Sequence, residues 1–306
     1  MMTTIAHPAS APREAGANTA PPRRRRRRRP SGWHLFLAPT AFIFLLPFLQ
    51  MFMASVAPEK ELITFPPPFI PSHIDLGHVQ TLTTPASGFI GLLSGSDVLL
   101  WLGNTTLVAI AAIGSHLVLC SLAGYGFARL RFRGRTFGFF AIVATIMVPT
   151  QLLMIPTYIM FARVGLIDTL GAAIVPWLAT AFGIFLMRQF FLSLPAELEE
   201  AAMLDGCGRW SVFFRVVLPL AKPALATLAI FTLLGSWNDL VWPLIAINND
   251  HAFTLQLGLS NFQGTRRTQW SLLMAGNVVA TLPLILFFLV AQKQFIATMT
   301  FSGLKG

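Results

Sequence analysis

The chain has 306 residues, 55% of them hydrophobic and 11% charged, a balance outside the range of soluble domains that marks a protein crossing the bilayer several times. Its net charge of +10 is concentrated in one run, Arg23 to Arg29, with no recognised nucleic-acid-binding module beside it, so the basicity points to anionic lipid and excludes a nucleic-acid partner. Two cysteines, Cys120 in an apolar segment and Cys207 in a charged one, exclude a disulfide framework.

Residues 1–30 are rich in Pro, Ala, Arg and Thr and lack apolar periodicity, which predicts a disordered basic arm. The arm is similar to the start of a secretory signal. The apolar segment after it is long, however, no small-residue cleavage pattern ends it and further spans follow, so the arm is predicted to be retained. The transmembrane domain occupies 31–306. A span needs about 20 predominantly apolar residues, and six segments qualify: 34–57, 98–123, 136–159, 170–191, 224–247 and 272–292. The predicted fold class is all-α, a polytopic bundle of six transmembrane helices. The loop from Pro58 to Asp97 is the longest on its side, and Pro66 to Pro68 predict extended, irregular chain there.

Lys and Arg are distributed asymmetrically between alternate loops. With the N-terminus inside, eighteen fall on the cytoplasmic side and only Lys60, Arg163, Arg266 and Arg267 on the other. Both termini are therefore expected in the cytoplasm, as is the loop 193–223.

Candidate chemistry is sparse. No GxxxxGK[ST] loop, HExxH pair, paired-cysteine metal site or GxSxG elbow occurs, so neither a P-loop nor a metal site is expected in this chain. His73 and His78 flank Asp75 at a spacing that matches no compact ligand pattern, and a solvated loop explains them. Asp239, in the run Gly235 to Leu244, is the carboxylate placed well inside a predicted span. With Trp237 and Asn238 it is the candidate lining of a translocation pathway, the alternative being structural hydrogen bonding. His116 has a sufficient explanation in a helix-bridging hydrogen bond. One carboxylate and one histidine fall short of a proton relay, which moves the expected energy source outside the chain.

The loop 193–223 is where charge interrupts the apolar pattern. Pro195 suits a first helical position, and Glu197, Glu199 and Glu200 complement the positive end of a helix dipole. Gly206 breaks that helix. Beyond it Trp210, Phe213, Phe214, Val217 and Leu218 fall on one apolar stripe of a second helix, with Arg215 opposite and Pro219 at its end.

The stretch Glu200-Ala201-Ala202-Met203-Leu204-Asp205-Gly206, continuing to Leu218-Pro219, resembles the EAA loop of binding-protein-dependent ABC importer permeases. The resemblance runs from about Trp33 to the end, with the family core at about 98–296. AGYGFARLRFRGR at 123–135, WNDLVWP at 237–243 and the terminal FSGLKG look like the carbohydrate-importing subgroup, similar to the second permease of maltose-type systems. It implies a type I ABC importer permease fold in a bacterial plasma (inner) membrane. It implies no enzyme activity in this chain, ATP and Mg being bound by a partner ATPase. The implied partners are a second homologous permease subunit, a cytoplasmic ABC ATPase dimer and an extracytoplasmic substrate-binding protein. Carried over residue by residue, it assigns ATPase coupling to Glu200, Ala201, Ala202, Leu204, Asp205, Gly206, Trp210 and Pro219. The expected cargo is a sugar, oligosaccharide or related polyol. Glycerol phosphate or peptide import within the family stays open, as does an ion-coupled secondary carrier or a membrane scaffold outside it.

Overall fold

The computed structural model describes residues 33–77, 97–264 and 268–302. The basic arm, His78 with the rest of the segment 78–96, Arg266, Arg267 and residues 303–306 of the terminal motif lie outside the described residues. The chain divides into two compact units, 1–46 and 47–306. In the first, the described residues 33–46 hold the opening part of an apolar helix, α1 (His34–Ser55).

In the second unit α1 ends and a short helix, α2 (Glu59–Leu62), follows. Then come α3 (Asp97–Arg129), α4 (Arg135–Thr145), α5 (Thr150–Arg163) and α6 (Leu170–Ile174), the last continuing into a 3-10 turn at Val175–Trp177. After α7 (Ala181–Ser193) the charged loop carries α8 (Glu197–Leu204), α9 (Arg209–Val212) and α10 (Leu218–Leu220), the last two joined by a π turn at Phe213–Val217. The chain then forms α11 (Lys222–Trp237), α12 (Val241–Ala246), α13 (Leu255–Ser260) and α14 (Trp270–Ser302). Among the described residues four stretches are long and apolar enough to cross a membrane, one of them, Leu170–Ser193, taking in α6, the 3-10 turn and α7, and two bent pairs bring the number to six if each pair is one span.

The bends are where the structure departs from six uninterrupted spans, and proline sets their positions. A proline inside a helix removes one hydrogen bond and clashes with the carbonyl four residues earlier. The third predicted span stops at Thr145, four residues before Pro149, and resumes as α5 at an angle of 100°. The fifth stops at Trp237, and Pro243 has no N–H to offer the carbonyl of Asp239, so α12 starts afresh at Val241. Asp239 thus sits in a break and not within a continuous span. In the charged loop the predicted second helix does not end at Pro219. Its chain widens into the π turn just before Leu218, passes Pro219, and bends by 75° at Ala221 into α11. The predicted apolar stripe divides there: Phe213 and Val217 are buried, Trp210 and Phe214 exposed.

α3 packs most extensively along α7 and α11, and α11 along α14. Gly124 sets the first of these contacts, because a Cβ at that position would lie 2.7 Å from Met187 Cβ and 2.9 Å from the Arg188 backbone nitrogen. Small residues of this kind let transmembrane helices approach closely. One buried cluster gathers Trp101, Phe161, Trp242 and Leu255; another gathers Met187, Phe191, Phe213 and Leu228.

At the end away from the charged loop, Glu59 caps α14 from outside. Its carboxylate accepts from Trp270 N at 3.1 Å, from Ser271 N at 2.9 Å and from Ser271 Oγ at 2.5 Å. The irregular chain after α2 turns back so that Ser72 donates to Glu61, and those bonds hold the exposed Glu61 carboxyl below its ordinary pKa.

The replacement Gly124→Val is expected to force α3 and α7 apart and to destabilise the protein by about 1–3 kcal/mol, the usual range for overpacking. A lowered thermal midpoint of the detergent-solubilised protein checks it.

Candidate functional site

The charged loop is mounted on the bundle through Glu199, the neighbour of the expected Glu200. Glu199 is buried in the first turn of α8, where its Oε2 accepts from the Tyr125 hydroxyl at 3.0 Å and its Oε1 pairs with Arg129 Nε at 2.8 Å. Arg129 Nη2 also donates to the carbonyls of Phe191 and Leu194, at 2.8 and 2.6 Å. Phe191 lies in the last turn of α7 and Leu194 is its C-terminal cap, where carbonyls lack their full intrahelical bonding. One guanidinium therefore joins the ends of α3 and α7 to the start of α8. Beneath it Tyr125, Phe191 and Phe213 form an aromatic trio, with ring centroids 4.9 Å apart for Tyr125 and Phe213 and 5.8 Å for Tyr125 and Phe191.

The far end of α8 is closed by glycine. Gly206 has φ of 86°, in the left-handed region that other residues avoid. Its N–H reaches the Met203 carbonyl at 3.1 Å and that of Cys207 reaches Ala202 at 3.0 Å, the paired bonds of a Schellman cap with Asp205 as the last half-helical residue. Among the residues expected to couple, Glu200, Ala201, Asp205 and Pro219 are exposed and Ala202 packs partly against the core. Leu204 is 89% and Trp210 68% exposed, and Trp210 stacks on Phe214 with ring centroids 6.2 Å apart. The loop thus shows a buried polar root and an outer face on which Leu204 and Trp210 stand exposed beside Glu200 and Asp205.

The second region is a cavity of about 460 Å³ where three helix interruptions meet. Thr150 and Gln151 come from the start of α5, Trp177 and Thr180 from the break between α6 and α7, and Asp239 from the break between α11 and α12. Irregular backbone at membrane depth is tolerated where it is buried in protein or lines a cavity. Trp177 Nε1–H donates to Asp239 Oδ2 at 3.2 Å. The Trp177 indole lies over Gly235, where a Cβ would meet its Cη2 at 2.5 Å. Its carbonyl accepts from Ser115 Oγ at 3.2 Å. His116 is buried beside it: Nδ1 lies 3.0 Å from the Ala112 carbonyl and Nε2 3.2 Å from Thr180 Oγ, which in turn caps α7 by accepting from Gly183 N at 3.1 Å. That is the helix-bridging role.

Of the three expected pathway residues, Asp239 lines the cavity. Trp237 is buried elsewhere and donates from Nε1 to the Ala280 carbonyl at 3.1 Å, joining α11 to α14. Asn238 is exposed, with its Nδ2 on the Leu234 carbonyl at 2.8 Å. The sequence assigned no site role to Trp177, Tyr125 or Arg129, and to Glu199 only a place near the positive end of a helix dipole. For Tyr125 and Arg129 a signal existed, since they stand four apart at the end of a span, on one helix face. Both cysteines are free, and the described residues contain no cluster of three or more candidate metal ligands.

The family model for the binding-protein-dependent transport system inner membrane component matches residues 116–300. The chain belongs to this family. The match takes in the Glu199 mount, the Schellman cap and all three breaks around the cavity. The permease is 34% identical over 270 residues to the arabinooligosaccharides transport system permease protein AraQ of Halalkalibacterium halodurans, covering 87% of this chain and 93% of the relative. It is 31% identical to the sn-glycerol-3-phosphate transport system permease protein UgpE of Pectobacterium atrosepticum, covering 86% and 93%. In fold it resembles a chain of a bacterial ABC transporter involved in the import of the acidic polysaccharide alginate, with a TM-score of 0.70 over 85% of this chain and 24% identity. The permease is accordingly a multi-pass inner-membrane component of a binding-protein-dependent transport system.

Removing the Glu199 carboxylate leaves Arg129 without its counter-ion in a largely buried position. Glu199→Ala is expected to cost about 3 kcal/mol, whereas Tyr125→Phe, which removes one hydrogen bond to a charged group, costs about 2 kcal/mol. Faster proteolysis or hydrogen exchange across residues 197–206, in that order of severity, checks this.

Proposed function

We propose that the permease forms half of the transmembrane pathway of an ATP-driven importer for a sugar, oligosaccharide or related polyol. A second homologous permease supplies the other half, an ABC ATPase dimer that binds ATP and Mg drives the cycle, and a substrate-binding protein delivers cargo from outside. Lys and Arg, with eighteen on one side and four on the other, support placing both termini and the charged loop in the cytoplasm, where the ATPase is reached.

The observation that carries this reading is the construction of the loop. An outer face carrying Leu204, Met203 and Trp210 is left open to a partner. It is held on a root of Glu199, Tyr125 and Arg129 stiff enough to pass displacement into the bundle. Closure of the ATPase dimer moves α8. Arg129 ties that motion to the end of α7, and the other end of α7 borders the cavity through Thr180. The bundle then exchanges outward-open and inward-open states by rigid-body motion.

Two variants test the docking. Gly206→Pro cannot adopt a φ of 86° and opens the Schellman cap. Leu204→Asp places charge in the outer face. Each is expected to insert normally and to lower ATP-dependent uptake about tenfold or more, with less ATPase co-purifying. Normal uptake with normal ATPase recovery in both variants refutes the assignment of the loop.

A further inference from the structure

We propose that the cavity bounded by Trp177 and Asp239 is a carbohydrate subsite belonging to this chain, one that accepts neutral polyhydroxylated solutes and rejects anionic ones. The proposal rests on the importer reading above and adds the cargo's charge class, which family membership leaves open. The relatives' names include both an arabinooligosaccharides system and an sn-glycerol-3-phosphate system.

The lining has the chemistry of a sugar site. Trp177 and Trp242 contribute flat apolar surface, the Thr150 and Thr157 hydroxyls and the Gln151 amide contribute both donors and acceptors, and Asp239 contributes a carboxylate. A volume of about 460 Å³ falls within the range of small-molecule sites. Asp239 is also fixed in place. The indole N–H of Trp177 holds one of its oxygens at 3.2 Å, and the bare backbone of Gly235 beneath the ring leaves Trp177 just enough room for that position. A carboxylate offers about four acceptor positions, so after the indole bond and one from the Trp242 backbone N–H it still accepts from neighbouring hydroxyls of a sugar. Such charge-assisted bonds are stronger than neutral ones.

The same carboxylate sets the selectivity. The cavity lining contains Asp239 and, among the described residues, no Lys, Arg or His. His116, the nearest candidate, is buried behind Thr180 with both ring nitrogens engaged. An anionic solute entering here loses its hydration, finds no cation, and faces the Asp239 carboxylate. A neutral sugar loses nothing comparable.

The test uses the purified complex of this permease with its partner subunits, without the binding protein, so that selectivity is read at the transmembrane site. Saturation-transfer NMR and intrinsic tryptophan fluorescence report binding of matched probes, galactobiose and arabinobiose as neutral and digalacturonate as anionic. The wild-type complex is expected to favour the neutral probes by about tenfold or more. Asp239→Asn narrows that preference, Asp239→Arg reverses it, and Trp177→Ala abolishes the fluorescence response while the complex stays assembled. Gly235→Ala, which displaces the indole and spares the carboxylate, weakens neutral binding without admitting the anion. Equal or tighter binding of digalacturonate by the wild type, an unchanged preference in Asp239→Asn, or binding of no probe overturns the subsite. ATPase activity measured on the same complex and its response to Leu204→Asp report on the importer reading independently, so either can fail alone.

Discussion

A helix interrupted within an apolar bundle frees N–H and carbonyl groups that cannot turn to water, and each must find a partner inside the protein. This permease interrupts three helices around one cavity, and several of its buried polar side chains are spent on those interruptions. Thr180 caps the restart of α7, Ser115 donates to the Trp177 carbonyl, and Trp242 Nε1 donates to the Ala172 carbonyl at 2.9 Å. Asp168 takes a positive φ in the turn before α6 and accepts from Asn248 N at 2.5 Å, while its own N–H reaches the Ala246 carbonyl at 2.9 Å. These bonds satisfy backbone groups that the breaks expose, beside a cavity that stays open.

The two ends of α7 show how such a site and the charged loop share one element. Its first turn is held by Thr180 and, through that hydroxyl, by His116 of α3; its last carbonyls are held by Arg129 of the same α3. A helix of 13 residues is a rod of about 20 Å at 1.5 Å per residue. With Gly124 bringing α3 within backbone contact at Met187 and Arg188, the two helices form one closely packed pair between the loop and the cavity. Arg188 adds to it by donating from Nε to the Phe127 carbonyl at 3.2 Å and lying 3.8 Å above the Phe139 ring.

The loop separates two demands between adjacent residues. Glu199 and Glu200 have the same side chain and the same helical propensity, yet one is buried in an ion pair and the other exposed. Neighbours on an α-helix point about 100° apart, so a single choice of which face α8 turns toward Tyr125 decides both roles. The π turn at Phe213–Val217 performs a similar division, placing Phe213 in the aromatic trio and leaving Phe214 beside Trp210 on the outer face.

Much of this was legible in the residues themselves. Runs of about 20 apolar residues require spanning helices because the bilayer offers the backbone no other partner. The charge between two such runs marks the loop, and Gly206 marks the end of α8 because glycine enters the left-handed region without a Cβ penalty. The breaks were only half legible: prolines at 149, 176 and 243 were visible, but Pro156 and Pro283 sit inside helices, so proline alone does not say which helix stops. Tertiary structure decided that Asp239 meets Trp177, 62 residues away in sequence, while the adjacent Trp237 turns to α14. It also decided that Glu199 and not Glu200 holds the loop. The reason is common to both cases. A local pattern fixes which residues share a helix face, but the partner that face meets is supplied by another helix, and no spacing along one segment encodes the identity of its neighbour.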